Sequence, residues 1–499
     1  MDLSTRLRNA METSPDAIAM EYRRREFAMS EVSAFGDRVI SLLEQAGAPA
    51  DAKIGIVQRN RPLHAAAILG ILTRGRSFTS IYSMQSVESL AEELRQSRFA
   101  AVIADADDWK DPVIDAARSV GTACIRLDNS AFAIEMIPGA EKCGDGPFDL
   151  FTGEPGLEIL SSGTTGKPKR ILFPFRMLVR AVESVMYQFS GSTDITPHIE
   201  VLPFTSIGGM CCLVANPIIG RYTALLEKFN VADWVEAARR LRPTVASGPP
   251  TIARMLIDAK INPEDVSSIK YWFGGGAAFP PELQDEFKAA YGIQTLWAYG
   301  ATEFCGTLMS WTPDTFAKYG ESKRGSVGRC MDGLKARIVD VETGEVLPPG
   351  QQGYLEALIP DVSPDWIRTT DLMLIDEDGY AWHFGRGDGA ILRGGFKVLP
   401  EKTVQALLDH PAVLDAGVVG LPDRRLGQVP VAAVELRKDQ PPPTEDDLHA
   451  HCRERLVAHQ RPVRIVIMDA LPRTTTLKVG VSELRKLLEA QLSDSGPDA

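Results

Sequence analysis

The sequence predicts an α/β fold built from parallel sheets. Between about residues 30 and 300, short apolar and β-branched runs alternate with longer segments that have apolar residues at helical spacing. This alternation is typical of βαβ units, whose strands lie parallel. The predicted strands are KIGIV (53–57), AAVIAD (100–105), LEILSS (157–162), TALLEK (223–228) and TVASG (244–248). The predicted helices are FGDRVISLLEQAG, FRMLVRAVESVMYQF, VADWVEAARRLRP and PPTIARMLIDAK.

Two further regions follow these units. Short strands separated by turns between about 325 and 385 predict a small antiparallel or barrel-like subdomain. The glycine-rich segment GRGDGAILRGGF (385–396) is typical of a linker or hinge. The segments after it predict a small α+β domain; they are EKTVQALLDH, DAGVVGL, VPVAAVEL, TEDDLHAHCRERLVAH, VRIVIMD and SELRKLLEAQL. We therefore expect an N-terminal domain over residues 1–386 and a mobile C-terminal domain over residues 387–499.

Composition excludes several classes of protein. A length of 499 residues, with 44% hydrophobic and 24% charged residues, is typical of a multidomain globular protein. The net charge of −12 argues against broad contact with nucleic-acid phosphates. No apolar run reaches the roughly 18 residues of a membrane helix, and the N-terminus has no signal-peptide pattern. The 7 cysteines form no C-x-x-C pair, so we expect buried thiols in a cytoplasmic protein.

The segment LSSGTTGKPKR (160–170) predicts a loop that binds an anion. Backbone N–H groups of Gly, Ser and Thr residues can cradle phosphate oxygens, and Lys167 and Lys169 add positive charge. A P-loop needs wider glycine spacing and a Ser or Thr after its lysine, where this chain has Pro168. GGGAA (274–278) lacks the glycine spacing of a dinucleotide fold. Taken alone, the loop is either an anion cradle or a polar turn without a ligand.

Five motifs together point to one family. They are LSSGTTGKPK (160–169), WAYGATE (297–303), TTDLMLIDEDGY (369–380), GRGDGAILRGGFKVLPEK (385–402) and LPRTTTLK (471–478). In order and spacing they resemble the motifs of the adenylate-forming superfamily, which includes acyl- and aryl-CoA synthetases, peptide-synthetase adenylation domains and luciferases. The resemblance implies that ATP and Mg²⁺ activate a small-molecule carboxylate as an acyl-adenylate, with pyrophosphate release and subsequent transfer to coenzyme A.

The resemblance also implies a nucleotide site. Thr302 would contact the α-phosphate, Glu303 would be the magnesium ligand, and Asp371 would accept both ribose hydroxyls. Arg386 would contact the ribose or the α-phosphate. The residues implied for the β- and γ-phosphates are Ser161, Ser162, Gly163, Thr164, Thr165, Gly166 and Lys167. The residues implied around adenine are Gly275, Gly276, Ala277, Tyr299 and Gly300, although the glycines would also suit a tight turn.

A rotating C-terminal domain is implied as well. Lys478 would reach the α-phosphate and the substrate carboxylate in the first step, because a lysine has a long stem and a compact charge. Asp388 falls at the hinge position of the family. After rotation, Arg393, Gly394 and Gly395 would line the pantetheine tunnel while Lys478 withdraws.

The sequence departs from the family pattern at several positions. Arg170, Gly389, Leu477 and Thr370 replace the usual residues of their motifs; Arg170 would contact either phosphate or, as we prefer, the surface. Many relatives have a histidine where this chain has Thr205, and no histidine here lies in a catalytic-looking motif. The implied acyl pocket consists of Thr205, Gly274, Ala298 and Ala301, with Trp297 and Phe304 as apolar walls. Its small residues favour a bulky acid, aromatic or cyclic.

Two alternatives stay open. The chain ends soon after Lys478 without a carrier domain, which favours a freestanding enzyme that uses coenzyme A. A standalone adenylating enzyme that loads a separate carrier protein would have the same motifs. So would an inactive nucleotide-binding homologue, although Glu303, Asp371 and Lys478 are all present. The sequence is compatible with a monomer or a homodimer.

Overall fold

A computed structural model gives the architecture. It describes residues 2–161, 169–187, 195–276, 279–301, 304–386, 389–437, 440–472, 479 and 481–493. Parallel sheets covered by helices form the larger part, and a separate sheet with its own helices follows at the C-terminal end. The predicted α/β class is therefore confirmed. No helix in these described ranges is both long and apolar enough to cross a bilayer.

The first part of the chain forms a seven-stranded sheet. Its elements, with two strands of a neighbouring sheet, are α1 (Leu3–Thr13), β1 (Ile18–Tyr22), β2 (Arg25–Ala28), α2 (Met29–Gln45), β3 (Ile54–Gln58), α3 (Pro62–Thr73), β4 (Phe78–Tyr82), α4 (Val87–Ser97), β5 (Ala101–Asp105), α5 (Asp111–Ser119), β6 (Ala123–Asp128), β7 (Ala133–Met136), β8 (Gly156–Ser161) and β9 (Lys169–Pro174). The strand order is β7-β6-β5-β3-β4-β8-β9, parallel except at the two edge strands. Every residue of β3 and β5 is buried, because helices cover both faces of the sheet.

Close packing of two helices completes this layer. A Cβ on Gly70 would lie 2.5 Å from the Cα of Gly36, so α2 and α3 meet backbone to backbone. All residues of α3 are buried. Small residues at the crossing therefore let an almost wholly apolar helix lie under the sheet.

The second part of the chain completes a mixed four-stranded sheet with β1 and β2 and forms a small parallel sheet of its own. Its elements are α6 (Phe175–Tyr187), β10 (His198–Glu200), α7 (Ile207–Ile218), β11 (Thr223–Leu225), α8 (Val231–Leu241), β12 (Val245–Ser247), α9 (Pro250–Asp258), a 3₁₀ turn (Pro263–Val266), β13 (Tyr271–Gly274), α10 (Pro281–Tyr291) and β14 (Gln294–Trp297). One sheet has the order β10-β11-β1-β2 and the other β12-β13-β14. The carboxyl ends of β12, β13 and β14 therefore meet at one edge.

The third part is antiparallel, as the sequence predicts. It contains β15 (Tyr299–Ala301), β16 (Gly306–Ser310), α11 (Pro313–Tyr319), β17 (Arg329–Cys330), β18 (Lys335–Val339), β19 (Gln352–Leu358), β20 (Ile367–Ile375) and β21 (Ala381–Arg386). Strands β15, β16 and β17 form one sheet, and β18 to β21 form a meander in chain order. Residues of β15 thus follow β14 directly along the chain and begin a new sheet.

The C-terminal part has a core of its own. Its elements are β22 (Ile391–Arg393), β23 (Phe396–Val398), α12 (Pro400–Leu408), β24 (Val413–Asp423), β25 (Gly427–Leu436), α13 (Glu445–Arg455), a 3₁₀ turn (Ala458–Gln460), β26 (Arg464–Met468) and α14 (Val481–Ser493). The strand order is β23-β22-β25-β24, with β26 parallel to β25. Its apolar clusters use only residues from Ile391 onward, and these support the expected boundary near residue 386, which stays a prediction.

Candidate active site

The candidate site lies at the carboxyl ends of β13 and β14, where parallel sheets commonly bind ligands. Gly274 ends β13, and its carbonyl accepts a hydrogen bond of 2.9 Å from the Ala298 N–H just after β14. The next residues along the chain form β15, which begins at Tyr299. Two segments that the sequence assigns to one site, GGGAA and WAYGATE, therefore adjoin each other in the fold.

A tyrosine, an aspartate and a histidine meet beside these strand ends. The Tyr299 hydroxyl donates to Asp371 Oδ2 at 2.5 Å, and His383 Nε2 lies 3.5 Å from Asp371 Oδ1. The Tyr299 and His383 rings are 5.8 Å apart at 32°. The residue Asp371 is 7% exposed. The carboxylate predicted to bind ribose is thus held in place by two side chains, as a binding carboxylate requires.

His383 contacts Asp371, and the sequence motifs did not predict this contact. The residue lies on β21, which pairs with β20 so that Met373 faces His383 and Asp371 faces Arg386. The turn IDEDGY could have indicated the contact, because it folds β20 and β21 back on each other. The same register sets Arg386, a predicted site residue, across from Asp371 in the backbone.

Gly274, at the end of β13, and the two glycines after it are required for different physical reasons. A Cβ on Gly274 would lie 2.4 Å from the Trp297 ring, and one on Gly275 would lie 2.8 Å from the Ala298 carbonyl oxygen. Packing alone therefore requires these two glycines. Gly276 has a left-handed φ of 76°, and a Cβ there would meet nothing described within 4 Å. Gly276 is the glycine whose open side suits a flat base, while a turn also requires it.

Several predicted residues lie outside the described ranges. These are Ser162, Gly163, Thr164, Thr165, Gly166, Lys167, Ala277, Thr302, Glu303, Asp388 and Lys478. Ser161 is described as the last residue of β8, and Arg386 as the last residue of β21, each by its backbone. The roles given to all of these residues stay predictions.

The residues predicted for the acyl pocket are partly exposed. Thr205, Gly274, Ala298 and Ala301 all have this intermediate burial, as pocket-lining residues would. In contrast, Trp297 and Phe304 are 4% and 0% exposed. Trp297 packs edge-on against Phe279 with ring centroids 4.9 Å apart, so both predicted apolar walls belong to the hydrophobic core.

The predicted tunnel residues form a tight hairpin turn. Gly394 and Gly395 have φ angles of 56° and 87° between β22 and β23, as a two-residue turn requires. A Cβ on Gly395 would lie 3.8 Å from Pro249 Cβ, and one on Gly394 would lie 3.6 Å from Thr251 Cγ2. The turn therefore lies against the segment that follows β12, at the strand edge of the candidate site.

Arg393 has a different environment from its two neighbours. Its guanidinium Nη1 donates to the carbonyls of Ala458, His459 and Arg461 at 3.2, 3.1 and 2.9 Å. These carbonyls belong to the C-terminal part of the chain. The Arg393 side chain thus stabilises its own domain, whereas the turn beside it faces the N-terminal part.

The structure explains one departure from the family pattern. Arg170 Nη2 donates to Glu93 Oε1 at 2.6 Å, and its guanidinium lies 5.7 Å from the Phe99 ring centroid. Arg170 is therefore engaged in an ion pair with α4, in line with the preferred surface contact. Gly389 has a φ of 72°, which a glycine adopts without strain.

One buried cluster has the side chains of a metal site. Ligand atoms of His198, Glu200 and Cys212 all lie within 4.8 Å of one another, the only such group found in the described part of the chain. The pKa of Arg221 is lowered to about 10, because burial disfavours its charge more than Cys212 and Glu200 favour it. Since Arg221 already supplies positive charge beside Glu200, we interpret this cluster as structural.

Comparison with curated proteins shows clear relatives. The chain is 30% identical over 354 residues to 2-succinylbenzoate–CoA ligase of Bacillus subtilis, covering 68% of each chain. It is 31% identical over 347 residues to sulfoacetate–CoA ligase of Cupriavidus necator, covering 65% of each. The chain is therefore similar to enzymes named for joining different acids to coenzyme A.

Solved structures show the same fold. An o-succinylbenzoate CoA synthetase from Bacillus subtilis, bound to its product analogue, has a TM-score of 0.82 at 23% identity, covering 96% of this chain and 98% of that one. An amide bond synthetase from Marinactinospora thermotolerans has a TM-score of 0.83 at 21% identity, covering 98% and 99%.

Family models match both parts of the chain. The model described as AMP-binding enzyme matches residues 7–360, and the model of its C-terminal domain matches residues 405–478. The first match spans the parallel sheets, β15 with Tyr299, and part of the antiparallel region. On this evidence, the chain belongs to the AMP-binding enzyme family.

Proposed function

We propose that this chain is an AMP-forming acid–CoA ligase, which activates an organic carboxylate with ATP and transfers it to coenzyme A. The observation that supports this most directly is the Tyr299–Asp371–His383 cluster at the strand edge of an AMP-binding fold. A carboxylate held by a phenol and an imidazole is pre-organised to accept hydrogen bonds from sugar hydroxyls. The CoA ligases among its relatives support the same reaction.

In the first step, a carboxylate oxygen of the acid attacks the α-phosphorus of ATP. A bond forms between that oxygen and phosphorus, and the bond to the bridging oxygen of pyrophosphate breaks. Asp371 binds the ribose and Gly276 borders the base, so the nucleotide is oriented while both reacting groups are anions. The loop residues 161–167, Thr302 and Lys478 are proposed to stabilise the phosphate charge, and Glu303 is proposed to hold Mg²⁺.

In the second step, the thiol sulfur of coenzyme A attacks the acyl carbon. The new carbon–sulfur bond replaces the bond to the phosphate oxygen of AMP, and the thiol gives up its proton. Proximity of Gly394 and Gly395 to Pro249 and Thr251 supports a role for this turn beside the thiol path. We propose rotation about Asp388 as the motion that exchanges Lys478 for this turn.

The test is carboxylate-dependent exchange between ATP and pyrophosphate, measured over a panel of acids, followed by detection of the CoA thioester. We expect exchange with at least one acid and a thioester with the same acid. Exchange without a thioester would indicate a carrier protein or another nucleophile as the acceptor. ATP binding without exchange for any acid would indicate an inactive homologue.

Lys478→Ala tests the division of labour between the two steps. We expect the loss of its charge to abolish most adenylate formation, because one charge-stabilising contact is worth about 10²–10³-fold in rate. Thioester formation from supplied acyl-adenylate should stay close to that of the parent protein. Equal losses in both half-reactions would contradict the proposed exchange of Lys478 for the glycine turn.

A further inference from the structure

Arg180 is a half-buried cation that contacts the strand paired with part of the implied acyl pocket. It lies on α6, and its guanidinium donates to the carbonyls of Phe304 at 3.1 Å and Thr307 at 3.5 Å. Thr307 pairs with Gly300, and Gly306 pairs with Ala301, across the β15–β16 ladder. The guanidinium therefore contacts the strand opposite Ala301, one of the residues implied for the acyl pocket.

Two small side chains, Cys211 and Cys305, lie near this guanidinium. A Cβ on Gly306 would have only Cys211 Sγ near it among the described residues, at 4.0 Å. Cys211 lies on α7, the helix that begins directly after Thr205 and Ser206. The β15–β16 turn thus lies close to α7, and the Arg180 charge acts to lower the pKa of the Cys211 and Cys305 thiols, against the larger effect of burial.

The thiols near this cation are neutral, and the nearest described carboxylate known to act on Cys211 is that of Glu200, which pairs with His198. Burial raises the pKa of the Cys211 thiol to about 12 and raises that of Cys305 as well, so both thiols are neutral. No described carboxylate forms an ion pair with Arg180, whereas Arg176 on the same helix pairs with Glu154. The described hydrogen-bond partners of this half-buried cation are neutral carbonyls. Arg180 therefore suits an anion, because a hydrogen bond to an ionised acceptor is stronger than one to a neutral carbonyl.

We propose that Arg180 binds a second anionic group of the acid, so that the substrate is a dicarboxylate or a sulfonated carboxylate. This inference rests on the proposed ligase function and adds the substrate class. The carboxylate at the α-phosphate reacts, and the second anionic group lies toward α6. The acids for which two relatives are named, 2-succinylbenzoate and sulfoacetate, both have such a second group.

The experiment compares matched acids with the full-length protein. The pairs are benzoate with phthalate and isophthalate, hexanoate with adipate, and acetate with sulfoacetate. We measure kcat/KM for exchange and, separately, the dissociation constant of each acid by calorimetry. We expect a preference for the second member of at least one pair, of about 10- to 150-fold, which is the size of one charged hydrogen-bonded contact.

Three variants separate charge from position. Arg180→Gln retains a polar N–H group but removes the charge, and we expect it to lose the preference while its KM for ATP is unchanged. Arg180→Lys retains the charge and should restore part of the preference. Arg176→Gln, on the exposed face of the same helix, is the matched control and should behave as the parent protein.

The outcomes distinguish this inference from the proposed function. Thioester formation with no preference for dianionic acids would overturn the inference and leave the function standing. Equal losses for all acids in Arg180→Gln, with a lower melting temperature, would also overturn it, because Arg180 would then only position the β15–β16 turn. Exchange with no acid would overturn the function, whereas dianion binding that is lost in Arg180→Gln would still support the anion site.

Discussion

Two histidine–carboxylate pairs in this molecule have similar geometry and different surroundings. His198 Nε2 lies 3.3 Å from Glu200 Oε2, and His383 Nε2 lies 3.5 Å from Asp371 Oδ1. The first pair is deeply buried, with side chains 2% and 1% exposed. The second pair has side chains 14% and 9% exposed and lies beside Tyr299, at the strand edge of the candidate site.

The difference teaches how to separate a structural pair from one that we propose binds ribose. Glu200 also accepts the Leu202 N–H at 2.8 Å and lies near the Arg221 guanidinium, so groups of the protein satisfy its charge. Asp371 is oriented by a phenol and an imidazole and lies where parallel strands end. Proximity of a histidine to a carboxylate therefore does not indicate function; the position of the pair in the fold does.

Among the changes expected for the two pairs, removing the Glu200 carboxylate of the structural pair should have the largest effect, on the free energy of unfolding. Glu200→Ala removes a buried carboxylate that favours the charge of Arg221 and accepts the Leu202 N–H, and we expect a loss of about 3–5 kcal/mol in the free energy of unfolding, measured in urea. Glu154→Ala is the control, since its pair with Arg176 is exposed, and it should cost less than about 1 kcal/mol. Similar losses in the two variants would mean that Glu200 is not the structural carboxylate that we infer.

Removing the charge of the pair proposed to bind ribose should weaken the use of ATP rather than folding. Asp371→Asn should lower kcat/KM for ATP by about 10- to 150-fold, because charged hydrogen bonds of about 1.5–3 kcal/mol to the ribose are lost. Steady-state exchange at varied ATP measures this. Asp378→Asn is the control on the same hairpin, where the side chain pairs with Lys323 at 2.5 Å. An unchanged response to ATP would place the ribose elsewhere.

Acid should lower the free energy of unfolding through His198 of the structural pair, by less than the Glu200→Ala substitution does. Burial is the main cause that lowers the pKa of His198 from 6.5, and the Arg221 charge lowers it further. Glu200 acts in the opposite direction. The neighbouring Cys212 is a neutral thiol. The unfolded chain therefore binds a proton below pH 6.5 that the folded chain does not. Stability from this group is fully present above that pH and falls as the pH decreases.

The measurement is the free energy of unfolding at pH 7.5 and pH 5.5. At pH 5.5 one such histidine costs at most about 1.4 kcal/mol, and His198→Gln should remove this part of the pH dependence. Other buried histidines, such as His64 with its pKa lowered to about 3, will keep the rest of the dependence. If the free energy of unfolding of His198→Gln depends on pH as that of the parent protein does, His198 has the same pKa in the folded and unfolded chains.

The sequence could predict much of the fold, and its motifs propose the site residues. Alternating periodicity predicted strands such as β3 and β5 almost to the residue, because buried parallel strands are short apolar runs between turns. Motifs with fixed spacing named Asp371, Tyr299 and Gly276 as one site. The core positions of Trp297 and Phe304 were not predicted, since an apolar residue beside a motif fits a pocket wall and a core equally well.

What the sequence alone determined is the family and the α/β class, since these follow from motif spacing and local periodicity, and the same motifs predict which residues meet the nucleotide. Only the tertiary structure decided which neighbours those residues have. His383 reaches Asp371 because the β20–β21 register brings together residues 12 positions apart, and Arg180 reaches Phe304 across 124 positions. Contacts over such separations depend on how elements pack, which no local pattern in the chain specifies.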